Sequence, residues 1–108
     1  MDTYHVGDIV VCRTSYAKTD GKRGFIEEIV DEPTPQRTGR YSVYGLEIPN
    51  NDKDEIYYGD YSPIELEKTG KVMTSEDILE YKATFHDNVG LQHDMDRVIE
   101  KIEGLVVN

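Results

Sequence analysis

The sequence predicts a mainly β domain, five short strands forming a small barrel, followed by one or two C-terminal helices. Three observations carry this. Residues 1–70 hold short runs rich in β-branched and aromatic side chains, separated by glycine- and proline-bearing loops. After Gly70 the hydrophobic pattern changes to helical spacing. The 108 residues suit one domain and leave little room for a second core. The expected division is a barrel over 1–70 and a helical extension over 71–108. The extension would pack on the barrel or serve as an interface, within a single compact unit.

Val6-Gly7-Asp8 reads as a turn into a first strand, Ile9–Thr14. Polar residues 15–24 form a loop, and Gly24–Val30 a second strand. Pro33 and Pro35 place Asp31–Gly39 in a loop, since proline lacks a ladder donor. Arg40–Ile48 forms a third strand, with Tyr41 and Val43 on one face and Tyr44, Leu46 and Ile48 on the other. A polar turn, Pro49–Asp54, leads to a short fourth strand, Glu55–Gly59. Asp60–Pro63 reads as a tight turn or one turn of 3₁₀ helix, and the alternating Ile64–Glu67 as a fifth strand. Thr74, followed by Glu76 and Asp77, is placed to cap a helix. Ile78, Tyr81, Phe85 and Val89 make one helical stripe; Leu91, Met95, Val98, Ile102 and Leu105 make another. Gly90 sits where a first helix could end or kink, and Gly104 where the second could stop.

Residues 4–67 resemble the SH3-like barrels of the KOW, Tudor and chromo-like kind. The segments that carry the resemblance are Val6–Val11, Gly21–Ile26, Tyr41–Tyr44 and Asp60–Glu67. Such barrels open with a glycine–aspartate turn, begin strand two after a second glycine, and precede the last strand with a short turn. The resemblance implies a fold and not a ligand, because this fold hosts unrelated functions. The helical extension lies outside it.

Charge and cysteine usage narrow the function. The net charge is −10; residues 1–48 carry eight acids and six bases, and residues 49–108 fourteen acids and six bases. Such a potential repels phosphate backbones and anionic membranes and favours a basic partner, or simply solubility. A single cysteine, Cys12, cannot form an internal disulfide, and the longest apolar runs are too short to span a bilayer. With no signal-peptide pattern visible, the expectation is a cytoplasmic protein without membrane contact.

Eight tyrosines and no tryptophan make aromatic surfaces the first candidate site. Tyr16, Tyr44, Tyr57, Tyr58 and Tyr61 fall on or beside barrel elements, where Tudor and chromo-like relatives hold cations or proline-rich peptides; core packing is the plainer reading. The acids Asp52, Asp54, Glu55, Asp60, Asp94 and Asp96 complete the partner-binding set. An alternative basic patch would join Lys18, Lys22, Arg23, Arg37 and Arg40. His86-Asp87 and His93-Asp94 invite a metal, but Gly90 intervenes and no further ligand clusters nearby, so neither metal nor cofactor is expected. Cys12 lies in an apolar strand and reads as structural. Glu27 and Glu28 should point to opposite faces of a strand, and no catalytic constellation emerges.

The expected function is therefore a non-catalytic protein-binding or regulatory module whose acidic surface meets a basic partner. In size and charge it is similar to inhibitors of nucleic-acid-binding proteins made by phages and mobile elements. A KOW-like nucleic-acid or ribosome-associated module is the alternative, disfavoured by net charge. The second helical stripe, being heptad-like, also admits a homodimer.

Overall fold

The computed structural model describes residues 4–15, 20–46, 58–83 and 89–106. Five antiparallel strands, β1 (Asp8–Cys12), β2 (Arg23–Asp31), β3 (Arg40–Gly45), β4 (Tyr58–Tyr61) and β5 (Leu66–Val72), form one sheet in the order β4-β3-β2-β1-β5. Two helices follow, α1 (Ser75–Ala83) and α2 (Val89–Val106). The protein is mainly β with a C-terminal α extension.

Gly7 takes φ 95° in the turn before β1, which the Asp8 N–H closes by donating to the His5 carbonyl at 3.0 Å. A side chain with a Cβ resists that conformation. The 31–39 loop turns tightly: Thr34 and Arg37 exchange backbone hydrogen bonds of 2.9 and 3.1 Å around Pro35-Gln36. Between β4 and β5 runs a 3₁₀ turn, Pro63–Glu65, started by proline at its first position. The Glu65 carboxylate accepts from the Ser62 N–H and hydroxyl, each at 3.2 Å.

The sheet curls. Tyr61 of β4 hydrogen-bonds the Cys12 thiol of β1, with two strands, β3 and β2, lying between them in the sheet. In a flat sheet those strands would lie about 14 Å apart. One cluster gathers Val10 and Cys12 of β1, Ile26 of β2, Tyr41 and Val43 of β3, Tyr61 of β4 and Leu66 of β5, with Tyr4 closing it. Both edge strands thus contribute to one interior.

The opposite face of the sheet is covered by helices. Phe25 and Tyr44 join Val6, Met73, Ile78, Leu91, Met95 and Val98 in a second core. α1 is capped reciprocally: the Asp77 N–H donates to the Thr74 hydroxyl at 3.1 Å, and the Thr74 N–H to the Asp77 carboxylate at 3.0 Å. Lys82 ties α1 to Asp96 of α2 at 2.7 Å. The second helical stripe is therefore buried within the chain at Leu91, Met95 and Val98, with Ile102 packed at its margin. No helix among the described residues is long and apolar enough to cross a membrane.

Several expected boundaries move. Ile64 and Glu65 belong to the 3₁₀ turn, and the last strand runs past Gly70 to Val72. Among the described residues α1 covers Ser75–Ala83, and Gly90 lies in the first turn of α2. Gly104 lies inside α2 and does not stop it. Val89, expected in the first apolar stripe, is 76% exposed. The polar turn at Pro49–Asp54, the start of the expected fourth strand and Phe85 lie outside the described residues.

Candidate functional site

The polar chemistry of the described residues concentrates where α2 crosses the sheet. β2 carries a bulge: Ile26 pairs with Val43 and Glu28 with Ser42, leaving Glu27 as the extra residue. Glu27 and Ser42 are both buried, and they hydrogen-bond each other. One strand over, the Tyr44 hydroxyl donates to the Asp94 carboxylate of α2 at 2.6 Å. Asp94 also accepts from Arg97, one helical turn on. The seam thus holds Glu27, Ser42, Tyr44, Asp94 and Arg97, with Glu28 close enough to act on Glu27 and Arg97.

Burial raises the Glu27 carboxyl above its ordinary value, with Ser42 opposing and the negative charges of Glu28 and Asp94 reinforcing; Arg97 opposes weakly. Arg97 is raised above its ordinary value, first by its hydrogen bond to Asp94 and then by that carboxylate's charge. These groups position α2. Replacing Tyr44 by phenylalanine is expected to cost about 1.5 kcal/mol in urea unfolding. The cost stays at the low end for a charged hydrogen bond because the Asp94 side chain keeps 25% of its surface exposed, so water replaces the lost donor.

Two of the expected tyrosines, Tyr44 and Tyr61, belong to the core. Tyr44 and Tyr61 are each 7% exposed, and Tyr44 packs edge-on against Phe25. Tyr58 lies in β4 opposite Tyr44 in register. Tyr16, Tyr57, Asp52, Asp54, Glu55 and Lys18 lie outside the described residues, as do His86 and Asp87. Of the expected acids, Asp60 pairs with Arg40 at 2.6 Å and Asp96 with Lys82, both at the surface. Exposed pairs of this kind contribute little.

The described members of the basic set lie toward opposite ends of β2. Arg23 begins β2, and Arg40 pairs in register with Asp31 at its other end. Nine residues of strand separate the two ends by roughly 25 Å. Lys22 therefore lies with Arg23 at one end, and Arg37 lies near Arg40 at the other. Cys12 is buried, and burial pushes its thiol up, Glu65 adding to the rise and the Tyr61 hydrogen bond offsetting part of it. That is the reverse of what a reactive thiolate needs.

A different surface emerges on the helices. Glu76, Leu79 and Glu80 share the exposed face of α1, and Asp96, Glu100 and Glu103 that of α2. Of these acids the expected partner-binding set contains only Asp96; Glu76, Glu80, Glu100 and Glu103 are not in it, although their spacing opposite the apolar stripes is legible in the sequence. Comparison of the sequence with protein-family models and with curated proteins finds no match.

Proposed function

We propose that this protein is a non-catalytic binding module, an SH3-like barrel whose helical layer presents an acidic face to a basic protein partner. The observation that carries the reading is the orientation of the helices. Leu91, Met95 and Val98 turn inward, and Asp96, Glu100 and Glu103 turn outward. On α1, Leu79 is 52% exposed between Glu76 and Glu80, an apolar anchor within an acidic rim. A net charge of −10 steers a basic partner to such a face and repels nucleic acid. The partner class that fits is a protein with a basic nucleic-acid-binding surface, which the acidic face would occupy in place of phosphates.

The strand order supports the barrel type, since a four-strand meander whose first strand also pairs the last is what such barrels require. The 3₁₀ turn before β5 supports it as well. Separation of Arg23 from Arg40 along β2 weighs against the nucleic-acid alternative.

The test compares the wild type with a variant carrying Glu76→Gln, Glu80→Gln, Glu100→Gln and Glu103→Gln. All four positions are exposed, so the fold should be kept. Basic proteins captured from the native host by the wild type are expected to bind the variant at least about ten-fold more weakly. Generic DNA and RNA should bind neither at low salt. Nucleic-acid binding by the wild type, or capture indifferent to the four substitutions, would overturn the reading.

A further inference from the structure

We infer that the contact between α2 and the sheet is a proton-sensitive latch, tighter when Glu27 is protonated than when it is ionised. The inference rests on the seam itself and is independent of the binding function proposed above.

The bulge is the first part of the argument. An extra residue in β2 sets a glutamate, 9% exposed, on a sheet whose neighbouring side chains Phe25 and Tyr44 pack against the helices. The groups acting on its carboxyl come from every element around it. Glu28 is on its own strand, Ser42 on β3, and Asp94 and Arg97 on α2. Three carboxylates therefore share one guanidinium. Arg97 is already committed to Asp94 by a hydrogen bond, and Asp94 is anchored to β3 through Tyr44 at 2.6 Å. An ionised Glu27 is penalised first by its burial and then by the charges of Glu28 and Asp94, with the Ser42 hydrogen bond and Arg97 offsetting part of that. A protonated Glu27 removes that penalty.

The direction of the pH dependence follows. Burial sets the Glu27 carboxyl above the 4.5 of an ordinary glutamate, so the folded seam holds its proton more tightly than the unfolded chain does. The stabilisation is complete below 4.5 and is lost as pH rises through the raised value. α2 is accordingly held more firmly in mild acid than at neutral pH.

A chain of net charge −10 gains stability everywhere as acid relieves its self-repulsion, so the readout must be local. Amide hydrogen exchange of α2, relative to that of β1 and corrected for intrinsic rates, is compared from about pH 8 to about pH 4, a range that reaches below the ordinary 4.5. In the wild type the protection of α2 is expected to rise several-fold toward acid. In Glu27→Gln, which keeps a hydrogen-bonding group beside Ser42 without the charge, α2 should be protected at both ends of the range. Arg97→Gln removes the compensating cation and should steepen the dependence. Parallel pH profiles in the wild type and Glu27→Gln would overturn the latch. So would a Glu27 side-chain carboxyl that titrates at or below 4.5 by carbon NMR, a measurement on the wild type alone.

Discussion

Phe25→Ala is expected to destabilise the protein by about 4 kcal/mol, the middle of the range for deleting a buried phenylalanine. Phe25 is fully buried on the helix-facing side of β2. Its ring meets Tyr44 at 6.0 Å and Tyr81 at 5.2 Å between centroids, both edge-to-face. Such pairs add about 0.5–1.5 kcal/mol each beyond the area they bury. Collapse cannot fill the cavity easily, because Tyr81 is fixed by its hydroxyl, which donates to the Gly45 carbonyl at 3.0 Å. Against a typical total of about 5–15 kcal/mol, the loss is large, and the melting temperature should fall by more than about 15 °C. The urea transition should remain single with its slope unchanged. Phe25 and Ile26 are consecutive residues that belong to the two different cores, so β2 couples the helical layer to the barrel. A smaller slope would mean that the helices come away first. Ile64→Ala is the control: at 88% exposed, it should change stability by less than about 0.5 kcal/mol.

Much of this architecture was legible in the sequence because burial on one face of an element leaves a period. β1, β2 and β3 declare themselves by runs that must serve the barrel interior on one side and the helices on the other. α2 declares itself through Leu91, Met95 and Val98, all of which are buried. β5 hid for the opposite reason. After Leu66 every residue of the strand is exposed, so Glu67–Val72 carries no alternation to read. The alternation that was visible, Ile64 to Glu67, straddles the 3₁₀ turn and points Ile64 into solvent. The seam was half legible. Ile26 and Ile29 are three residues apart, and in a regular strand they would face opposite ways. Ile26 belongs to the barrel core and Ile29 packs against both cores, which the bulge at Glu27 allows. That odd spacing was the available sign of a bulge, and of a glutamate brought under α2. The approach of Asp94 and Arg97 was not legible, because it depends on where a helix sixty-odd residues later settles.

Gly24→Ala is expected to be among the most damaging single-methyl substitutions, at about 3 kcal/mol or more, the upper end of the cost of overpacking. No unusual backbone conformation requires glycine here, since the φ of Gly24 is not positive. What the position lacks is room. A Cβ there would lie 2.7 Å from the Tyr44 carbonyl oxygen and 2.7 Å from a Val43 methyl. Neither neighbour can yield cheaply. Gly24 is paired on one side with Val10 and on the other with Gly45, so the backbone is held by ladders to β1 and β3. The Val43 side chain is 1% exposed in the barrel interior, packed against the residues that hold the curled sheet together. Relief would require β2 and β3 to separate where the sheet closes on its core, opening both hydrophobic clusters at their shared strand. Gly104→Ala separates this steric cost from the general effect of adding a methyl group. A Cβ at Gly104 meets nothing within 4 Å, and the residue lies within α2, so alanine should stabilise by up to about 1 kcal/mol through helix propensity. Opposite signs at the two sites in urea unfolding would establish that close strand approach, and not glycine's flexibility, holds Gly24 in place. A near-neutral Gly24→Ala would mean that β2 and β3 do not cross this closely, and the curl of the sheet would need another cause.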